Sequence, residues 1–233
     1  MDRELSIDRL EVRFGGIVAL RDVSFHVSAD ECLGLIGPNG SGKTTLFNTV
    51  TGFVRPTGGR VSWRGRDCTG MSPQAMARSG IVRSFQQPMV FPSLSVAECL
   101  LTITTRETVR DLLRLGNLEH LAQANAAALP YGLMRRIGVL LALAMSPTLL
   151  MLDEPTSGLS APEVTSMVDL LRAVRARQIG LWVIDHNIAF LERLCDRLIV
   201  LNSGSLLTEG TPQKVLSDSA VRVVYLEGET SET

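Results

Sequence analysis

Gly37-Pro38-Asn39-Gly40-Ser41-Gly42-Lys43-Thr44 fits the pattern G-x-x-x-x-G-K-[ST], and its reading decides the fold. Glycines let the backbone curl so that successive N–H groups point inward, toward phosphate oxygens. A helix beginning near Lys43 turns the positive end of its dipole on the same group. Lys43 supplies a compact charge for β- and γ-phosphates, and the Thr44 hydroxyl suits Mg²⁺. The cradle runs from Gly37 to Thr45. The competing reading is a glycine-rich turn with an incidental lysine, and two features weigh against it. Cys32-Leu33-Gly34-Leu35-Ile36 is a continuous apolar run, as expected of a strand covered on both faces, and a helix is expected from Lys43 to about Val50. Lysine is also scarce here: of 23 basic residues only Lys43 and Lys214 are lysine, so its use in the loop points to a need for a compact ammonium.

Outward from the loop, residues 5 to 27 read as β, with Val23, Phe25 and Val27 alternating with polar neighbours and Gly15-Gly16 marking a turn. Val61 and Trp63 suggest another strand of an antiparallel layer. Residues 94 to 128 are helical in composition. Leu133 to Met145 reads as a helix ended by Ser146-Pro147, followed by a buried strand from Thr148 to Leu152. A helix from about Glu163 to Gln178, a strand over Leu181 to Ile184 and a hairpin over Leu198 to Leu207 complete the pattern. Strands alternating with helices predict an α/β fold with a mainly parallel sheet.

Composition narrows the function. At 233 residues and 45% hydrophobic content the chain predicts one domain with a substantial core. Lys plus Arg number 23 against 24 Asp plus Glu, so the basic surplus typical of nucleic-acid binders is missing and no nucleic-acid partner is expected. The richest apolar stretch, Ile137 to Leu152, is broken by Ser146-Pro147 and falls short of the roughly 20 residues that a bilayer span needs. Met1-Asp2-Arg3-Glu4 opens no signal-peptide core. Cys32, Cys68, Cys99 and Cys195 are widely spaced, as expected of free thiols in a reducing compartment.

A second constellation follows the apolar strand: Leu149-Leu150-Met151-Leu152-Asp153-Glu154-Pro155. Asp153 at the strand's carboxyl end can hold the water shell of a Mg²⁺ ion beside the phosphate loop. Glu154 points differently and can orient and deprotonate a water for in-line attack on a γ-phosphate. No N-K-x-D, the guanine-reading pattern, occurs anywhere in the chain.

With these pieces in place the sequence resembles the ATP-binding subunits of ABC transporters over nearly all of its length. The resemblance implies a P-loop NTPase core, an N-terminal antiparallel β layer and a small helical subdomain at about 88–145, inserted in a single ATP-binding domain spanning 1–233. It implies that Phe14 stacks on adenine, that Gln86 touches the metal site, and that His186 sits near the γ-phosphate. Leu129-Pro130-Tyr131-Gly132-Leu133 stands where the family signature L-S-G-G-Q is expected, so Tyr131 and Gly132 would meet nucleotide held by a second ATP-binding subunit, whether an identical copy or a paralogue. Ser157-Gly158-Leu159-Ser160 matches the loop that crosses such an interface. Arg13-Phe14-Gly15-Gly16, Thr51-Gly52-Phe53 and Arg83-Ser84-Phe85-Gln86 are most similar to importers of branched-chain amino acids and related amides or urea. The implied activity is ATP hydrolysis with Mg²⁺, catalysed by Lys43, Glu154 and His186, on the cytoplasmic face of the membrane. The implied partners are permease subunits and, indirectly, a solute-binding protein. A weakly hydrolysing regulatory or non-transport ABC ATPase is the alternative.

Three departures bear on coupling. Pro130 brings neither the signature serine's hydroxyl nor an N–H. Ser160 replaces the aspartate usual in the interface loop. Only 43 positions separate Gln86 from Leu129, which is short for the helical subdomain. If the lost hydroxyl limits turnover, Pro130→Ser raises the ATPase rate, read as phosphate release; an unchanged rate would mean that backbone donors suffice.

Overall fold

The computed structural model describes residues 4–84 and 91–229. Strands β1 (Glu4–Phe14) and β2 (Ile17–Ser28) form a hairpin, followed by β3 (Cys32–Ile36) and helix α1 (Lys43–Val50). Next come β4 (Gly58–Trp63), β5 (Arg66–Asp67), α2 (Pro73–Arg78) and β6 (Ile81–Arg83). A helical stretch holds α3 (Val96–Leu101), α4 (Arg106–Leu115) and α5 (Tyr131–Leu143). The chain then alternates through β7 (Leu149–Asp153), α6 (Ala161–Arg175), β8 (Gly180–Ile184), α7 (Ile188–Leu194) and the hairpin β9 (Arg197–Asn202)–β10 (Ser205–Gly210). It finishes with α8 (Pro212–Ser217) and α9 (Ser219–Glu229).

Two sheets result. The first is antiparallel, ordered β2-β1-β4-β5; the second is ordered β10-β9-β3-β8-β7-β6 and is parallel except for β10. The apolar runs have a direct explanation in the second sheet. Leu33, Leu35, Met151, Trp182, Ile184 and Ile199 face one core, shared with the antiparallel sheet and with Leu46, Phe47 and Val50 of α1. Cys32, Ile36, Leu150, Leu152, Val183 and Val200 face a second core built with the helices α3 to α7. Period-2 alternation is present, but both faces are dry, so both sets of positions are apolar. Trp182 joins the layers: its ring meets Phe25 at 5.4 Å and Phe47 at 4.7 Å, both edge-on.

Some expected boundaries shift. The helix expected from Leu133 starts two residues earlier at Tyr131, with Pro130 extended at its N-cap, where a missing N–H costs nothing. The helix expected from Glu163 starts at Ala161, because the Ser160 hydroxyl and N–H both donate to the Glu163 carboxylate, at 2.6 and 2.8 Å. The strand expected over Thr148 to Leu152 runs from Leu149 through Asp153, which pairs with Ile184 of β8. All four cysteines are free and buried. Among the described residues no helix is long and apolar enough to cross a membrane.

Trp182→Ala removes the ring by which β8 packs against the antiparallel sheet and α1 and is expected to cost about 3–5 kcal/mol. Urea denaturation measures this; a loss under about 1 kcal/mol would show that the layers do not depend on that contact.

Candidate active site

The phosphate loop connects β3 to α1, and its shape follows from local constraints. Gly42 sits at φ +104, and a Cβ there would lie 2.8 Å from the Ala19 carbonyl oxygen, so no other residue fits. The Lys43 ammonium folds back over the loop and donates to the carbonyls of Gly37 (2.8 Å) and Pro38 (2.9 Å). Burial pulls Lys43 below the ordinary lysine value, while Glu154 and then Asp153 counter that shift. The loop is also anchored from outside: Gly204 in the β9–β10 turn donates its N–H to the Ser41 carbonyl at 3.0 Å, and Arg21 of β2 donates to the Gly204 carbonyl at 2.8 Å.

A cleft of about 290 Å³ opens on this loop. Asn39 to Thr45 form one side, Glu154 and His186 another, and Ile17, Val18, Ala19 and Ile184 supply apolar surface. Glu154 follows β7 and His186 lies two residues beyond β8; the two side chains meet at 3.0 Å between Oε1 and Nε2. Glu154 adopts φ +48, and its N–H donates to the Ile184 carbonyl at 2.8 Å.

Asp153 is buried behind this wall, 4% exposed, and its Oδ2 accepts from an Arg83 guanidinium nitrogen at 2.5 Å. The other terminal nitrogen of Arg83 donates to Asn48 Oδ1 at 2.5 Å, and its guanidinium lies over the Phe47 ring at 5.7 Å. One side chain thus links β6, the Asp153 carboxylate at the end of β7 and the helix after the phosphate loop.

The expected site residues divide by position. Asn39, Gly40, Ser41, Gly42, Lys43, Thr44, Thr45, Glu154 and His186 share the cleft. Phe14 is half-exposed at the end of β1 and pairs in register with Ile17, which lines the cleft. Gln86 lies outside the described residues. Tyr131 and Gly132 do not line this cleft; they begin α5 against the loop of Ser157 to Ser160. The Tyr131 ring packs on Gly158 and beneath the Arg135 guanidinium, which donates to the Ser157 carbonyl at 3.4 Å. A Cβ on Gly132 would fall 2.2 Å from Glu163 Oε1, so glycine is what lets the two helix starts touch. No local pattern marks Ile17, Val18 or Arg83 as site residues, because the fold alone brings them to the cleft and to Asp153.

The family model described as ABC transporter matches residues 20–157. The chain belongs to the ABC transporter family. It is a nucleotide-binding ATPase of that family. It is 34% identical over 248 aligned positions to the high-affinity branched-chain amino acid transport ATP-binding protein LivG of Salmonella typhimurium, covering 95% of this chain and 97% of LivG. It is 38% identical over 218 positions to the lipopolysaccharide export system ATP-binding protein LptB of Acidithiobacillus ferridurans, covering 90% of each. Among solved structures, the ADP conformation of MJ1267, an ATP-binding cassette of an ABC transporter, superposes with a TM-score of 0.88 at 28% identity, over 95% of this chain and 98% of MJ1267. The LivG alignment is longer than this 233-residue chain, so LivG carries stretches that have no counterpart here.

Arg83→Leu leaves the Asp153 carboxylate buried without its partner and is expected to cost about 3–5 kcal/mol. Adding Asp153→Asn, which removes the orphaned charge, recovers most of that loss. Chemical denaturation of both variants checks the pair; no recovery in the double variant would mean that Arg83 stabilises through packing alone.

Proposed function

We propose that this ATPase powers uptake of branched-chain amino acids, or a similar small polar solute, through partner permease subunits. The observation that carries the reading is likeness to LivG along 95% of the chain, joined to a cleft in which the phosphate loop faces Glu154 and His186. The LptB likeness favours a second reading, export of a lipid-linked cargo. The motif wording at Arg13-Phe14-Gly15-Gly16 and Tyr131-Gly132 supports the first. In this reading residues 1–233 are one ATP-binding domain, its helical subdomain falling at about 88–145, and it works at the cytoplasmic membrane face.

Within the cleft, the loop N–H groups and Lys43 hold the β- and γ-phosphates, and Phe14 at the rim stacks on the base. Glu154 orients the attacking water and takes its proton, while His186, 3.0 Å away, fixes the carboxylate and reaches the γ-phosphate side. The donor set suits Mg²⁺. Thr44 offers an exposed hydroxyl on the cleft, Ser41 has a buried hydroxyl with no partner among the described residues, and Asp153 adds a carboxylate; Gln86, outside the described residues, would add an amide oxygen. When bound, Mg²⁺ neutralises charge on the β- and γ-phosphate oxygens. Among the described residues no cluster of three or more His, Cys, Asp and Glu forms a metal cage, so the ion would rely on nucleotide oxygens.

Tyr131 and Gly132 lie away from their own cleft, which supports a role toward nucleotide held by a second subunit. At the start of α5, the N–H groups of Tyr131 and Gly132 have no acceptor within the helix. Those donors can substitute for the serine that Pro130 replaces.

Glu154→Gln tests the assignment. ATP affinity stays within about twofold, hydrolysis falls by about 100-fold or more, and an ATP-bound dimer accumulates on size-exclusion chromatography. Wild-type turnover in that variant would take Glu154 out of the mechanism. Uptake of labelled leucine by vesicles holding this ATPase with its partner permease subunits separates import from export of a lipid-linked cargo.

A further inference from the structure

The turn that carries Glu154 is strained and needs a cause outside itself. Glutamate at φ +48 occupies the left-handed region that side chains with a Cβ avoid. Such a conformation persists only where surrounding contacts over-determine it. The Glu154 N–H bond to the Ile184 carbonyl and the Ser157 N–H bond to the Glu154 carbonyl, at 2.8 and 3.2 Å, fix its backbone from two sides. A third constraint arrives through a side chain. Asp185, the first residue beyond β8, is 4% exposed, and its Oδ2 accepts from both the N–H (3.0 Å) and the hydroxyl (2.7 Å) of Thr156. Its Oδ1 accepts from the Asn187 N–H at 2.9 Å. Thr156 is two residues after Glu154, and Asn187 immediately follows His186.

One buried carboxylate therefore ties together the two turns whose outward residues, Glu154 and His186, meet at 3.0 Å. Asp185 does not line the cleft, and no cation pairs with it among the described residues. Its three bonds go to donors in those two turns. Asn187 carries the tie further, since its side chain caps α7 by accepting from the Phe190 N–H at 3.0 Å. The sequence offers a cue in Ile184-Asp185-His186-Asn187, but an acid at a strand end reads equally well as a simple turn former.

We propose that Asp185 is a positioning residue for ATP hydrolysis, clamping the Glu154 turn to the His186 turn so that the two side chains stay in register over the γ-phosphate. The proposal rests on the hydrolytic role given to Glu154. Asp185→Asn converts one acceptor into a donor facing a donor, and lets the pair drift. The expected result is a fall in kcat of about 10- to 100-fold, with ATP affinity within about twofold. Made in the Glu154→Gln background, the same change costs less than about twofold, because residues acting as one unit do not add. Equal losses in both backgrounds would make Asp185 a stability residue only and overturn the proposal, as would an unchanged kcat. If Asp185→Asn does not fold, Thr156 carries the test: Thr156→Ser keeps the hydroxyl bond and the rate, whereas Thr156→Val loses both. Equal rates for those two variants would overturn it. Unaltered protein that binds MgATP without hydrolysing it would instead remove the hydrolytic reading itself.

Discussion

β8 lies between β3 and β7, parallel to both, and the site is assembled by that pairing. Parallel strands finish at one edge of the sheet, so the phosphate loop after β3, the His186 turn after β8 and the acids after β7 emerge side by side without any long connection reaching across. The register makes the placement specific. Asp153 pairs with Ile184, so the sheet ends one step before Glu154 and Asp185, and both turns begin at the same level. A slip of two residues would leave the apolar faces intact and still part the two turns. The hydrophobic pattern therefore supplies the layers, while the hydrogen-bond register supplies the chemistry.

Charge management around the cleft follows from burial. Each ionisable group near the loop has an answering group in the chain: Lys43 has two main-chain carbonyls, Asp153 has Arg83, and Glu154 has His186. The three arrangements differ in exposure and so in energetic weight. Arg83 and Asp153 are 12% and 4% exposed, and a pair so enclosed is costly to break from one side. His186 is half-exposed, so its contact with Glu154 is weak enough to rearrange. The rigid pair thus sits behind the cleft and the softer pair at its wall, facing the phosphate loop.

Much of this was legible in the sequence for an identifiable reason. Apolar runs such as Leu149–Leu152, short and set after the breaker Ser146-Pro147, read as strands covered on both faces, and the loop of Gly37 to Thr44 admits few backbones. Short elements were harder to see. β6 is three residues long and owes its existence to pairing with β7, and α2 and α7 carry too few turns for a periodic signal. Two helix starts lie two residues before the expected ones because Pro130 and Ser160 cap them, and a cap carries no hydrophobic periodicity. The Arg83–Asp153 contact spans 70 positions and the Asp185–Thr156 contact spans 29, and no local rule pairs residues at that range. Tertiary geometry chose those partners.

The anchoring of the phosphate loop has an evolutionary consequence. Ser41 is tied to Gly204, and Gly204 to Arg21, through main-chain atoms alone. Backbone groups are the same whatever side chain they carry, so Arg21 can change identity without breaking the chain of bonds that sets the loop's distance from the antiparallel sheet. Drift at Arg21 would be silent to the loop's geometry, whereas the side-chain ties on the opposite wall hold only while both members of each pair are kept.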